Sequence, residues 1–395
     1  MHFFMLKDKI QQTAKALQEE YIQLRRHLHM HPELSYQEYE TASFVEKKLQ
    51  EIGLSTTRLA TTGVVAIIEG KNPSSRSVAL RADMDALPIQ EANNISYRST
   101  RDGIMHACGH DVHTTCLLGA AHLLVKLKDE WEGTVKLIFQ PGEEKNPGGA
   151  SYMIRDGVLK NPVPQSIYAL HVHPGLAIGQ VSFRSGKVMA SADELYFTIK
   201  GKGGHAAAPH LATDPILIAS HLIVGLQQII SRNRNPHHPS VLSITSIHAG
   251  TTTNVIPDEV KLMGTFRAMD ESWRSEAHSL LQKFTKELTE SMGGNAELII
   301  DKGYPCVINN ELLHEKAVVL AETYLGKQHV EETELRMGSE DFGYYSQEIP
   351  GCFFRLGVMN REKGITSGVH TPTFDIDETA IETGMGLLAW FGMKG

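Results

Sequence analysis

The stretch TVKLIFQPGEEKNPGG, residues 134–149, shows the pattern from which this chain is built. Its apolar, β-branched first half predicts a buried strand over 134–141, and the proline and glycine that follow predict a sharp turn. A helix is expected near Ala150 to Asp156. Two adjacent glutamates, Glu143 and Glu144, stand in the turn. Such a pair is by itself typical of a solvated turn, but strand ends are also where open α/β sheets place their active sites.

The same alternation of strand and helix extends outward from this stretch. Further strands are predicted at 64–70, 77–83 and 166–174, and helices at 10–28, 37–52 and 113–128. Apolar residues in the helices recur at helical spacing, whereas the strands are short β-branched runs. This order predicts an α/β fold with a mixed, mostly parallel sheet flanked by helices.

The pattern changes near residue 187. A strand at 194–204, a helix at 214–230, two strands at 240–250 and 259–269, and a helix at 271–294 follow one another. This sequence of elements predicts a smaller α+β domain, residues 187–297. It would be inserted into a discontinuous catalytic domain made of residues 1–186 and 298–395.

Composition and charge exclude several classes of protein. The net charge of −8 and the lack of a long basic run predict no binding to nucleic acid. No run of 18 apolar residues is seen, and the apolar run at the start is too short for a signal peptide, so we expect no membrane association. Four cysteines in 395 residues do not make a disulfide framework, which favours the cytoplasm.

Metal-binding side chains concentrate in MHACGHDVHT, residues 105–114. Cys108 and His110 are two positions apart, and on an extended or loop backbone such side chains point the same way. A thiolate and an imidazole could then reach one ion, although a polar helix start is the alternative. The predicted strand SIYALHVHP ends with His171 and His173, one of which should face the two glutamates.

The separate pieces support one another because all fall at strand ends or in adjoining loops. His370, in VHTPTFD, would be a surface residue if it stood alone. Together the pieces offer sulfur, nitrogen and oxygen ligands, which fit Zn²⁺ or another first-row transition ion. The expected ligands are Cys108, His110, Glu144, His171 and His370. Five ligands suit two divalent ions that share a ligand and a water, with zinc or manganese expected first and cobalt or nickel as alternatives. Glu143 remains as the general base.

Seven segments also carry a family resemblance. They are LRADMDALP (80–88), MHACGHDVHT (105–114), FQPGEE (139–144), GGHAAAPH (203–210), TNVIPD (253–258), GSEDF (338–342) and VHTPTFD (369–375). In this order they resemble the aminoacylase-type dinuclear metallo-amidohydrolases. That group includes hippurate hydrolases, auxin-conjugate hydrolases and bacterial N-acyl-amino-acid and N-acetyl-diaminopimelate deacylases. The segments span almost the whole chain and are specific to the superfamily, but much less to a substrate. HMHPEL (29–34), with His31, is a further family-like motif without an evident chemical role.

The resemblance implies the same five ligands, with Glu143 as base and proton shuttle. The related exopeptidase branch has a His-x-Asp motif upstream and an aspartate that bridges the ions. Here the matching segment, Asp83 to Asp85, contains no histidine, which fits the branch in which Cys108 is a ligand. Neither aspartate is then expected to bind metal directly, and Asp85 is expected to fix a ligand imidazole.

The inserted domain resembles the lid or dimerisation domain of that family, which implies a homodimer or a higher homo-oligomer. His205 matches a histidine that polarises the scissile carbonyl, and Asn254 and Arg267 match positions that contact the substrate. An incidental histidine in a glycine loop and a surface ion pair are the alternatives for His205 and Arg267. Glu340 and Asp341 are expected to line the site, without a defined target.

These features predict a metal-dependent amidohydrolase for small N-acyl amino acids, such as acetyl or benzoyl derivatives. In the expected mechanism the ions acidify a bridging water, Glu143 moves its proton to the leaving amine, and a metal ion and His205 stabilise the oxyanion. A metallo-exopeptidase, either a carboxypeptidase or a dipeptidase, is the first alternative, and the missing upstream histidine argues against it. A non-catalytic metal-binding relative is the second, and the presence of Glu143 beside a full ligand set argues against that.

Overall fold

The computed structural model describes residues 2–395, and they form two compact units. The larger unit comprises the chain up to Val188 together with Ile308–Leu335 and Asp341–Gly395. The smaller unit comprises Met189–Val307 and Arg336–Glu340. The predicted domain borders at residues 187 and 297 stay a prediction. The compact smaller unit extends to Val307 and also includes Arg336–Glu340.

Helices and strands alternate along most of the chain. The helices are α1 (His2–Met30), α2 (Tyr39–Glu51), α3 (His110–Lys126), α4 (Gly149–Arg155), α5 (Pro215–Gln228), α6 (Glu271–Ser291), α7 (Glu311–Leu325), α8 (Phe342–Glu348) and α9 (Ala380–Lys394). The strands are β1 (Thr56–Leu59), β2 (Gly63–Glu69), β3 (Ser77–Asp83), β4 (Thr134–Gln140), β5 (Ser166–Ala177), β6 (Val181–Phe183), β7 (Gly186–Met189), β8 (Ser191–Lys200), β9 (Gly204–His205), β10 (Ser240–Ala249), β11 (Val255–Ile256), β12 (Glu259–Ala268), β13 (Asn295–Lys302), β14 (Val307–Asn309), β15 (Val330–Glu332) and β16 (Gly351–Met359). Helices α5 and α6 and strands β8 to β13 belong to the smaller unit.

An eight-stranded sheet forms the centre of the larger unit, in the order β1-β2-β4-β3-β5-β16-β6-β15. Strand β3 is parallel to β4 and β5, and β5 is parallel to β16, whereas β1, β2 and β6 have antiparallel neighbours. Every residue of β3 and β4 is buried, as expected when helices cover both faces of a sheet. Helices α3 and α9 pack on β3 and on each other, and α4 and α8 pack on β4 and β16. The predicted α/β fold with a mixed, mostly parallel sheet flanked by helices is confirmed.

The carboxyl ends of the central parallel strands meet at one edge of this sheet. Asp83 at the end of β3 is opposite Gln140 at the end of β4, and His171 in β5 is opposite Arg355 in β16. Polar groups that follow β3 and β4 are therefore delivered close to His171. Strand β5 is longer than predicted, because its continuation to Ala177 pairs with the end of β16. His171 consequently lies within the strand rather than at its end.

The smaller unit is an antiparallel sheet with two helices, an α+β arrangement. Its strands have the order β10-β12-β8-β13, and alternate residues of β8, such as Leu195 and Phe197, are buried in its core. The helical span Pro215–Asn233 is long and apolar enough to cross a membrane, a test that the core helices of folded domains also pass. Ile218 and Leu222 on this span are buried in the core of the unit.

Candidate metal centre

The five residues predicted as ligands lie together at the carboxyl edge of the large sheet. His370 Nε2 is 3.3 Å from Cys108 Sγ and 3.2 Å from Glu144 Oε1. Cys108 Sγ is also 3.5 Å from His171 Nε2, and His110 Nε2 is 4.0 Å from Glu144 Oε1. Residues from four separate parts of the sequence therefore present sulfur, nitrogen and oxygen atoms to one small volume.

These atoms form two groups that share Cys108. One ligand atom each from Cys108, His110 and His171 lies within 4.8 Å of the others, and so do atoms from Cys108, Glu144 and His370. In the described part of the chain, His110 Nε2 is buried without a hydrogen-bond partner. Buried polar atoms normally have one, so a cation would satisfy this nitrogen. The donor set suits Zn²⁺ and related first-row ions, and the residues present fit two divalent ions.

Binding of a cation would displace protons from two of these ligands. Burial, with the nearby Glu144 carboxylate, raises the pKa of the Cys108 thiol. Hydrogen bonds with Cys108 and Glu144 raise the pKa of His370 to about 10, whereas burial holds that of His171 well below its usual range. A thiol with a raised pKa stays protonated at neutral pH unless a cation stabilises the thiolate.

Cys108 and His110 are brought together by the glycine between them. Gly109 has a φ of 87° and caps helix α3, of which His110 is the first residue. The two side chains therefore converge across a left-handed turn rather than along an extended strand. A β-carbon at position 109 would lie 2.5 Å from a methyl carbon of Val172, so both the backbone conformation and the available space require glycine.

Asp85 connects a ligand to the turn that carries the two glutamates. Its Oδ1 lies 3.2 Å from His110 Nδ1 and accepts the backbone N–H of Glu143 at 3.0 Å. Its Oδ2 accepts the backbone N–H of Glu144 at 2.9 Å and the hydroxyl of Ser35 at 2.6 Å. With Nδ1 of His110 bonded in this way, Nε2 is the ring nitrogen left to bind a metal. Ser35 was not predicted, and its place just after HMHPEL was the one available signal.

Asp83 supports the centre from within the sheet. Its Oδ2 accepts a hydrogen bond of 2.7 Å from Arg81, and its Oδ1 lies 2.6 Å from His113 Nδ1. His113 Nε2 accepts the backbone N–H of Val172 at 2.9 Å, so the ring is neutral, with its proton on Nδ1. This chain of contacts fixes the backbone beside His171. Oδ2 of Asp83 is 3.8 Å from His110 Nε2.

Asp341 joins three elements of the larger unit. It accepts hydrogen bonds from Arg81 at 2.7 Å, from Gln140 at 2.7 Å and from the backbone N–H of Ala150 at 2.9 Å. The end of β4 and the start of α4 are thereby held on either side of the Glu143–Glu144 turn. The partners of Asp341 could not be predicted from sequence, since they lie up to 260 positions away.

The remaining predicted residues lie in the smaller unit. His205 in β9 is opposite Val255 in β11, next to Asn254, and both His205 and Asn254 are exposed. His205 Nδ1 accepts the backbone N–H of Ala207 at 3.0 Å. Arg267 in β12 donates to the hydroxyls of Thr265 at 3.1 Å and Ser339 at 2.9 Å. His205 and Asn254 are thus close together in one part of the unit, and Arg267 is held by neutral groups.

The sequence profile of Peptidase family M20/M25/M40 matches residues 79–392. The chain belongs to this family. This M20/M25/M40 member is therefore a metallo-hydrolase of amide or peptide bonds, which confirms the predicted hydrolase class and the predicted relationship.

Relatives of this M20/M25/M40 hydrolase carry names of two kinds. N-acetyl-L-cysteine deacetylase of Bacillus subtilis is 41% identical over 93% of this chain and 86% of its own length. Thermostable carboxypeptidase 2 of Saccharolobus solfataricus is 37% identical over 96% of each chain. Among solved structures, the Bacillus subtilis YXEP protein, a dinuclear metal-binding peptidase of family M20, superposes with a TM-score of 0.83 at 35% identity and covers 96% of this chain and 98% of its own.

Proposed function

We propose that the protein hydrolyses the amide bond of N-acyl amino acids to a carboxylate and a free amino acid. The observation that carries the proposal is the pair of ligand groups that share Cys108, with a carboxylate oxygen of Glu143 4.0 Å from His110 Nε2. Cys108, His110, Glu144, His171 and His370 would hold the two ions in this proposal. Zinc or manganese is favoured by the donor set, and cobalt or nickel would also fit.

The catalytic proton transfers are assigned to Glu143. Two bound ions would lower the pKa of a water and polarise the acyl carbonyl. Glu143 accepts a proton from the attacking water and later donates it to the nitrogen of the leaving amino acid. The buried position of Glu143 keeps its carboxylate away from bulk water, and the bond from its backbone N–H to Asp85 fixes the turn on which it stands.

The proposal also assigns substrate-binding or catalytic roles to three residues of the smaller unit. His205 polarises the scissile carbonyl, Asn254 contacts the substrate, and Arg267 binds the free α-carboxylate. Burial lowers the pKa of the Arg267 guanidinium, and among the described residues no carboxylate lies within 4.0 Å of it. A half-buried guanidinium that is held only by hydroxyls gains strongly from an anionic ligand, which supports its assignment to a carboxylate.

A metallo-exopeptidase is the second candidate, because two relatives are named carboxypeptidases. The two functions separate when kcat/KM is measured on a panel of N-acetyl, N-benzoyl, N-succinyl and long-chain N-acyl amino acids and on unblocked dipeptides. Mn²⁺, Zn²⁺ and Co²⁺ would be added in turn. We expect N-acyl amino acids to be cleaved at least tenfold faster than dipeptides. Faster cleavage of dipeptides with every metal would replace the proposed function by the second candidate.

We further propose a cytoplasmic homodimer or higher homo-oligomer that forms through the smaller unit. The four cysteines, Cys108, Cys116, Cys306 and Cys352, are all buried free thiols, as is usual in a reducing compartment. Helix α5 leaves Leu217 and Val224 exposed. Apolar side chains at such positions favour contact with a second copy, the smaller unit of which presents the same surface.

A further inference from the structure

A fully buried arginine connects the two loops that carry Cys108, His110 and His370. Arg25, near the end of α1, has no exposed surface. Its Nε donates to Asp111 at 2.8 Å, its Nη2 is 3.1 Å from Asp375, and its Nη1 is 3.5 Å from Glu378. We call this group, together with His29 and Glu91, the Arg25 cluster.

One side of the Arg25 cluster holds the start of helix α3. Asp111 directly follows the ligand His110 and accepts two contacts through the same oxygen, from Arg25 and from His29 Nδ1 at 2.8 Å. His29 is itself held by Glu91, whose Oε1 is 3.3 Å from Nε2. Asp111 is in the first turn of α3, directly after His110. Its contacts therefore fix the backbone that positions the His110 imidazole.

The other side holds the loop of His370. Asp375 accepts the hydroxyl of Tyr97 at 2.8 Å in addition to its contact with Arg25. Asn93 donates to the carbonyl of Phe374 at 2.9 Å. His370 itself has a φ of 61°, a left-handed conformation that costs free energy in any residue but glycine. A strained ligand loop keeps its shape only when the surrounding contacts impose it.

We propose that Arg25 and Asp375 are positioning residues for the metal centre. Arg25 fixes the separation between the His110 and His370 ligand groups by binding Asp111 through Nε and Asp375 through Nη2. A planar fork can do this, whereas a lysine, with its single point of charge, cannot. The inference rests on the proposed two-ion centre, because only a centre divided between two loops needs such a link.

The test compares Asp375→Asn with Lys9→Met. Lys9 is also on α1 and binds Glu130, so its replacement removes an ion pair of the same helix away from the Arg25 cluster. The full-length protein loaded with Co²⁺ would be titrated with a chelator, while the ions retained per chain and the thiolate-to-cobalt absorption are followed. Thermal unfolding of each variant without metal would show that it is folded.

We expect the wild type and Lys9→Met to retain two ions alike. Asp375→Asn should release one of its two ions at about 10- to 100-fold lower chelator concentration, as is usual when a supporting contact of a ligand is lost. Arg25→Lys, which keeps the charge, should also release one ion early. If Asp375→Asn retains both ions like the wild type, or if Lys9→Met releases them equally early, the positioning role is wrong. A wild type that binds no ion would instead contradict the proposed metal centre.

Discussion

Glu143 and Glu144 are neighbours in the chain, and we propose different roles for their two carboxylates. Each has a carboxylate oxygen 4.0 Å from His110 Nε2, and Glu144 Oε1 lies in addition 3.2 Å from the ligand His370. Asp85 accepts the backbone N–H groups of both, so the turn is fixed and adjacent side chains are free to diverge. One carboxylate is thereby proposed to bind metal and the other to move a proton.

The two glutamates can be tested against each other. Glu143→Gln removes the proton acceptor but keeps its size, and we expect turnover to fall by about 10²- to 10⁴-fold while both ions stay bound. Glu144→Gln should lower the metal content instead. Steady-state kinetics and metal analysis of both variants check the prediction. A Glu143→Gln enzyme with a nearly normal rate would remove Glu143 from the mechanism.

At the level of single residues, sequence reasoning could find the candidate ligands but not what holds them. Cysteine, histidine and glutamate side chains that cluster at strand ends are a chemical signal that is readable in the sequence. The contacts of Ser35 with Asp85 and of Arg25 with Asp111 and Asp375 depend on how α1 packs. Serines and arginines are common, so nothing in their local sequence distinguishes these from surface residues.

Among the elements, the start of α3 sets the geometry of Cys108 and His110 and can be probed at Gly109. Gly109→Ala combines an unfavourable positive φ with a β-carbon 2.5 Å from Val172. Gly53→Ala is the matched control, because Gly53 has a φ of 84° and open space around its β-carbon position. Calorimetry and metal analysis should show a cost of about 1 kcal/mol for the control, and a larger cost with loss of metal for Gly109→Ala. Equal costs for the two variants would show that the space at Gly109 is unimportant.

The start of helix α2 contains a carboxyl group that is expected to make stability depend on pH. Glu38 accepts the backbone N–H of Gly142, at 2.8 Å, and the hydroxyl of Thr62, at 2.7 Å. Burial, with the nearby Asp85, nevertheless raises the pKa of Glu38 to about 7. Since this pKa is raised above its unfolded value, the protonated form stabilises the fold at low pH, and this contribution is lost as the pH rises from about 4.5 to about 7.

Urea unfolding of the wild type and of Glu38→Gln at pH 5 and pH 8 measures this effect. We expect the wild type to lose more stability between the two pH values than Glu38→Gln does, because the amide does not titrate. Glu20→Gln, at an exposed position of α1, controls for the loss of a charge. The same pH dependence in Glu38→Gln as in the wild type would contradict the assignment.

Most elements could be predicted because their periodicity is strong, and the differences have physical causes. The predicted helix at 37–52 corresponds to α2 at Tyr39–Glu51. The two helices of the smaller unit, α5 and α6, and its strands follow the predicted order. Short strands such as β6 and β15 were not predicted, because three residues carry no periodic signal and gain their pairing from tertiary structure. The association of Arg336–Glu340 with the smaller unit also depends on tertiary structure, so it was not predictable from the sequence.

For the whole molecule, the proposed oligomer can be tested at Val224. This side chain on α5 is 74% exposed, and Val224→Asp should convert a dimer to a monomer. Leu312→Asp, at a residue on α7 of the larger unit that is 77% exposed, is the control and should leave the dimer intact. Light scattering after size exclusion would measure both. A dimer that survives Val224→Asp but not Leu312→Asp would place the interface on the larger unit.

The central claim is that two ions, held by Cys108, His110, Glu144, His171 and His370, enable this M20/M25/M40 member to cleave N-acyl amino acids. The most direct measurement is a titration of metal-stripped protein with Zn²⁺ or Mn²⁺, in which bound ions per chain and hydrolysis of a panel of N-acetyl amino acids are followed together. We predict that hydrolysis rises until two ions are bound and then stays constant. Full hydrolysis by protein without bound ions, or none by protein that holds two, would contradict the account.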